Sequence, residues 1–205
     1  DMKNPMKKVK IPKKSGLVRD RIPTKAEMAA LHVAAVEGGI KNRSPIVGIF
    51  KFISLTGARL GEVLHMEWED FDEKTGIWTI RSKPRCPTFY GLGWKPKWDK
   101  WRQVPLFDDS IELLECLPKQ EEVYGTVPVR DKNNEIIGHE LYPANFVFPK
   151  KVVDGKSGRV GYCRVDGIRN GWESLKKLAQ VENLQLKDLR TYFNHILKTN
   201  YNFTS

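Results

Sequence analysis

A helix that is apolar on nearly every side has to be surrounded by the rest of its fold, and the segment after Ser44-Pro45 encodes one. Ile46, Val47, Ile49, Phe50, Phe52 and Ile53 make it apolar nearly all round, so it is expected at the buried centre. Ser44-Pro45 supplies a cap followed by proline in the first turn, a helix-start signal. Gly57 ends the helix, because glycine enters the left-handed region without steric cost. The chain then re-enters a helix, with Leu60, Val63 and Leu64 at helical spacing. Arg59 is thus placed at a helix start and held by packing on both sides. Its guanidinium can face an anion, read here as a DNA phosphate. The alternative is an ion pair with Glu62 on the helix surface.

The flanking segments predict an α+β fold, mainly helical, with a small antiparallel sheet or hairpin on one side. Thr24 and Glu27 make a T-x-x-E capping box, and Gly38-Gly39 closes that helix. Asp72 to Gly76 reads as a turn, Ile77 to Ile80 as a strand, and Gln103 to Leu106 as its return. Between them lie Lys83, Arg85, Trp94, Lys95, Lys97, Trp98, Lys100, Trp101 and Arg102. Alternating cations and flat apolar faces suit a hairpin laid on a nucleic-acid backbone. The alternative is a twisted hairpin whose tryptophans cover the core. Asp108 or Asp109 is expected to cap a short helix through Leu117. Residues 119–142 read as a polar connection with a loop tip at Asp131 to Asn134, 145–148 as a short strand, and 150–164 as a basic loop. Two helices are expected over 165–179 and 187–198. No internal repeat is visible.

A net charge of +10 on 205 residues favours a polyanionic partner, nucleic acid ahead of an anionic membrane surface. Residues 1–22 are basic and broken by Pro5, Pro12 and Gly16. They read as an extended linker, with 23–205 as the domain. No apolar run approaches the roughly 18 residues of a membrane span, and no secretory leader is evident. A cytoplasmic protein with no membrane partner is expected. Cys86, Cys116 and Cys163 form no CxxC pair, which argues for reduced thiols and against a zinc site. The histidines have no metal-ligand spacing, and Glu62 with His65 reads as a helix-surface coincidence. Neither metal nor cofactor is expected.

Four segments then align in order. They are Thr56-Gly57-Ala58-Arg59-Leu60-Gly61-Glu62; Lys95-Pro96-Lys97-Trp98 with Arg102-Gln103-Val104-Pro105-Leu106; Asn145-Phe146-Val147-Phe148-Pro149; and Lys187-Asp188-Leu189-Arg190. As an ordered set they resemble the catalytic domain of the tyrosine recombinases, the phage-integrase family, over residues 23–200. The resemblance implies a clamp on double-stranded DNA, a tyrosine that attacks the phosphodiester, and a 3′-phosphotyrosyl intermediate resolved without ATP or metal. It implies Arg59 and Arg190 as the two catalytic arginines, because forked, permanently charged guanidiniums suit the charge building on the phosphate oxygens. It implies a lysine general acid, Lys97 by its spacing to Val104, with Lys83 as competitor. Glu62 would orient these cations, and Lys83, Arg85, Lys95, Lys100 and Arg102 would contact DNA. It also implies a tetramer on DNA for the full-length protein.

Two departures follow. Lys187 stands where the family usually has histidine; the resemblance still implies a catalytic role for it in contacting the phosphate or handling a proton, though lysine is the poorer base at neutral pH. The family's next motif and its nucleophilic tyrosine are expected beyond Ser205, because Tyr192 and Phe193 read as core aromatics and Tyr201 as part of a tail. The same residues also admit a binding module that occupies DNA, or regulates a full-length recombinase, without cutting. A third reading is an unrelated basic nucleic-acid-binding protein.

Overall fold

The computed structural model describes residues 21–37, 45–88, 91–121, 123–133, 135–153, 158 and 160–201. Helix α2 (Ile46–Thr56) takes the place its composition demands. Ile46, Ile49, Phe50, Phe52 and Ile53 are all buried. Around it pack α1 (Lys25–Glu37), α3 (Leu60–Leu64), α4 (Asp108–Glu115) and α6 (Leu186–Tyr201), while α5 (Arg169–Leu178) lies against α1. The capping box at the start of α1 is made as expected. Thr24 Oγ1 accepts from the Glu27 N–H at 3.1 Å, and Glu27 Oε2 accepts from the Thr24 N–H at 2.8 Å. The Gly38-Gly39 stop, the Ser44 cap and residues 1–20 of the basic linker lie outside the described residues. Arg21, assigned to that linker from sequence, is fastened to the domain. It pairs with Glu27 at 2.5 Å and donates to the Glu182 carbonyl at 3.0 Å.

Strands β1 (Phe71–Asp72), β2 (Ile77–Ile80) and β5 (Arg102–Pro105) form an antiparallel sheet in the order β1-β2-β5. Trp78 on β2 points inward and meets Phe52 edge to face at 5.4 Å, which fastens the sheet to α2. The long connection between β2 and β5 is itself a hairpin of β3 (Lys83–Thr88) and β4 (Gly91–Trp94), followed by a short turn at Lys97–Asp99.

The α+β class holds, but β structure extends further than the sequence suggests. The polar connection of 119–142 carries β6 (Val123–Arg130) and all but the last residue of β7 (Ile136–Pro143), and the basic loop of 150–164 contains β8 (Lys150–Val153) and β9 (Val160–Cys163). They form a sheet in the order β7-β6-β9-β8, with β6 and β9 parallel and the other pairs antiparallel. These strands lack a clean apolar alternation because much of their surface stays wet: Ile137, Leu141, Val152 and Val153 are exposed. Conversely, 145–148 is apolar without being a strand. It makes one bridge, Glu67 to Phe146, and buries Phe146, Val147 and Phe148.

Three helix boundaries also differ from expectation. Phe107 takes the cap position of α4, so Asp108 and Asp109 sit in its first turn, where carboxylates favour the helix dipole. Helix α5 is shorter than the predicted 165–179, and α6 runs on to Tyr201. All three cysteines are free, and no described helix is long and apolar enough to cross a membrane.

Gly57 is where α2, α3 and α6 meet. Its φ of 60° is left-handed. A Cβ placed there would lie 2.4 Å from Phe193 Cδ1 on α6. Gly57→Ala is therefore expected to lower the unfolding free energy by about 2 kcal/mol, read by chemical denaturation. An unchanged midpoint would contradict this packing.

Candidate phosphate-binding site

The left-handed turn at Gly57 delivers Arg59 to the cap of α3 in an extended conformation. An arginine cannot accept the orphan N–H groups of a helix start, so the acceptor comes from Glu62, one turn later. Its Oε2 accepts from the Arg59 N–H at 2.9 Å, and its Oε1 from Arg59 Nη1 at 2.9 Å. Arg102 reaches across from β5 and donates to Glu62 Oε2 at 2.7 Å. The Glu62 side chain is only 2% exposed. Burial alone would raise its pKa, but the Arg59 N–H and the Arg102 and Arg59 guanidiniums more than offset it and hold the carboxyl below its ordinary value. The Arg59–Glu62 ion pair thus exists, but its carboxylate is interior and not on the helix surface. Arg59 itself remains 42% exposed.

The fourth member comes from α6. Asp188 accepts the Gln185 N–H at 2.8 Å to start that helix, and Leu189 is fully buried. The neighbouring Arg190 is half-buried at the edge of the core, where its Nη1 donates to the Gly57 carbonyl at 2.8 Å. Its pKa is pushed down, first by burial and then by the nearby Arg59, with Arg102 adding to the effect. A guanidinium stays charged at neutral pH even so. Two guanidiniums therefore share the Glu62 carboxylate, and a third lies within their electrostatic reach. The surplus positive charge, with Arg59 still open to solvent, is the electrostatic signature of an anion site.

The β3–β4 hairpin is braced against α3. Trp94 stacks on His65 with ring centres 4.5 Å apart and planes 10° from parallel. His65 Nδ1 lies 2.6 Å from the Gly61 carbonyl, and its Nε2 lies 3.3 Å from Arg164 Nη1. These partners assign the neutral tautomer with the proton on Nδ1: it donates to Gly61, and Nε2 accepts from Arg164. Burial, with Arg164 and Lys83 adding to it against the Gly61 bond, pushes the His65 pKa down to about 4. Glu62 and His65 are both buried, which corrects the expectation of a helix-surface pair. Among the described residues no group of three His, Cys, Asp or Glu side chains could hold a metal.

The remaining predicted residues divide. Lys83 does not match the expectation of a DNA-facing lysine. It is buried, bonded to Glu67 and paired with Asp70 at 2.6 Å, while Arg81 holds the other Asp70 oxygen at 2.6 Å. A buried ammonium neutralised by two carboxylates, Asp70 buried and Glu67 half-buried, has little field left for a phosphate. Lys97 is exposed in its turn, with Nζ 5.3 Å over the Trp98 ring. Lys95 is exposed and paired with Asp99 at 2.6 Å, and Arg85 and Lys100 are exposed. Lys187 is exposed in the first turn of α6. The fold thus joins Arg59, Glu62, Arg102 and Arg190 and leaves Lys97 and Lys187 on the surface. Sequence reasoning missed Arg102 as a partner of Glu62, and it missed the His65–Trp94–Arg164 brace. The Arg102 pairing was signalled by the β2–β5 register, which sets it opposite Ile80.

No protein-family description matches this chain, and no curated protein matches it in sequence. Solved structures do match. The Tn1549 transposon integrase in complex with circular intermediate DNA is 13% identical, covers 89% of this chain and 55% of its own, and superposes with a TM-score of 0.61. The same integrase with transposon right-end DNA gives 12%, 93%, 56% and 0.58, and XerA recombinase gives 17%, 93%, 54% and 0.52. This chain therefore shares its fold with the matched part of these integrase and recombinase structures. This chain spans about half the length of those neighbours.

The His65 brace makes stability depend on pH. The folded state holds the imidazole neutral down to about pH 4, whereas the unfolded chain protonates it near 6.5. The stability this contributes is complete above pH 6.5 and is lost as pH falls through 4. The slope reaches about 1.4 kcal/mol per pH unit. The margin of the native chain over His65→Gln should shrink across that window in denaturation series. A constant margin would contradict the buried neutral imidazole.

Proposed function

We propose that this chain is the DNA strand-breaking and rejoining core of a site-specific tyrosine recombinase. The observation that carries the proposal is the pairing of Arg59 and Arg102 on the buried Glu62 carboxylate, with Arg190 held beside them on the Gly57 carbonyl and within their electrostatic reach. Arg59 and Arg190 grip the non-bridging oxygens of the scissile phosphate and stabilise the charge that builds there. A tyrosine hydroxyl loses its proton to solvent as its oxygen attacks phosphorus, forming the 3′-phosphotyrosyl bond and breaking the bond to the 5′-oxygen. Lys97 gives that leaving oxygen its proton. A second 5′-hydroxyl then reverses both steps, so the bond energy is kept and no metal or nucleotide is consumed. Lys187 contacts the same phosphate as a point charge.

The attacking tyrosine is proposed to lie outside residues 1–205, since Tyr192 packs against the core and Tyr201 closes α6. The partner is duplex DNA, engaged by a tetramer of the full-length protein. The neighbours bound to transposon DNA support recombination or integration of a mobile element; its proposed setting is the cytoplasm of a bacterial or phage-infected cell.

Two measurements test this. Duplex binding should weaken several tens of fold between roughly 50 and 200 mM salt if about three phosphates are contacted, and salt-independent binding would contradict a phosphate clamp. With the full-length protein and a nicked duplex, a covalent protein–DNA adduct should form. Arg59→Ala or Arg190→Ala should each cut its rate by about 100-fold or more. No adduct, or an unchanged rate in both variants, would sink the catalytic assignment.

A further inference from the structure

The turn at Lys97–Asp99 spends backbone strain to hold two tryptophans out in water. Trp98 is 79% exposed and Trp101 68%. A single exposed apolar residue needs no explanation. Here two large rings lie within four residues, and Trp98 sits at φ 69° with Asp99 at φ 53°. Bulky residues rarely adopt that region, and persistent strain of this kind has to be held by its surroundings. It is held here. Asp99 accepts from Ser82 Oγ at 3.0 Å and from Lys95 Nζ at 2.6 Å, which ties the turn back to the end of β2. The fold therefore fixes the backbone of the turn and leaves the rings open.

The surroundings name the occupant. Lys97 covers one part of the Trp98 ring at 5.3 Å, and Lys95 and Lys100 are exposed beside it. A flat apolar face between cations complements a nucleotide, which carries a flat base between anionic phosphates. Bases inside a duplex already cover each other's faces, so only an unpaired base offers one. Exchanging strands requires bases next to the break to leave one partner before pairing with another.

We propose that Trp98, supported by Trp101, is a stacking platform for an unpaired DNA base held by the Lys97 turn. The inference rests on the DNA-recombining function proposed above and extends it to a base-binding site. Trp98 acts by binding and positioning; it takes no part in proton or phosphoryl transfer.

The test compares two labelled oligonucleotides at fixed salt by fluorescence anisotropy: a duplex, and the same duplex with a central run of unpaired bases. The native chain should prefer the unpaired form by about tenfold. Trp98→Ala should reduce that preference to about twofold or less, leave duplex affinity and the unfolding midpoint unchanged, and abolish quenching of 2-aminopurine placed in the unpaired run. Trp98→Phe should keep most of the preference. Equal binding of both DNAs by the native chain, with the expected salt dependence, would overturn the platform while leaving the recombinase reading intact. So would a Trp98→Ala variant that keeps the full preference. Absence of any DNA binding would overturn both.

Discussion

The buried Glu62 carboxylate is the interaction on which the site depends. It satisfies the N–H that the α3 start leaves orphaned, it fixes Arg59 one turn back, and it pulls Arg102 in from β5. Helix start, sheet edge and arginine cluster are thus one electrostatic unit. A carboxylate nearly closed to water is costly unless every lone pair finds a donor. Here the donors are the groups whose position matters. Removing it would leave Arg59 and Arg102 without their shared anion, within electrostatic reach of Arg190.

A second tier of contacts sets the hairpin against this unit. Trp94 stacks on His65, His65 is held by Gly61 and Arg164, and Lys83 is locked between Glu67 and Asp70. On the far side, Cys86 Sγ on β3 lies 3.4 Å from the Tyr142 hydroxyl on β7. The four-stranded sheet therefore bears on the hairpin, and the hairpin bears on α3. On the recombinase reading, a surface lysine such as Lys97 can be precise only because its hairpin is braced in this way.

The sequence made the centre legible and left the periphery opaque, for physical reasons. The helix of Ile46 to Ile53 could be placed because its residues are apolar nearly all round, with Lys51 the one charged interruption. Arg59 could be placed because Gly57 and the Leu60–Val63–Leu64 spacing are local signals. The strands of 123–143 and 150–163 were not legible, because half-solvated strands carrying glycine, proline and lysine have no clean period of two. Lys83 shows the limit of reading charge as surface. Whether a lysine faces DNA or fills an interior ion pair depends on Glu67 and Asp70, which reach it only through the tertiary fold. Arg102 shows the converse, a basic hairpin residue recruited to hold a carboxylate forty positions earlier.

The most direct test of this account is Glu62→Gln in the full-length protein, with DNA affinity and covalent-adduct rate measured side by side. The substitution adds one net positive charge, so charge attraction alone predicts tighter binding and undiminished reaction. If Glu62 organises the arginines, duplex affinity should hold or rise while the adduct rate falls by about 100-fold. An adduct rate equal to that of the native protein would contradict the central claim.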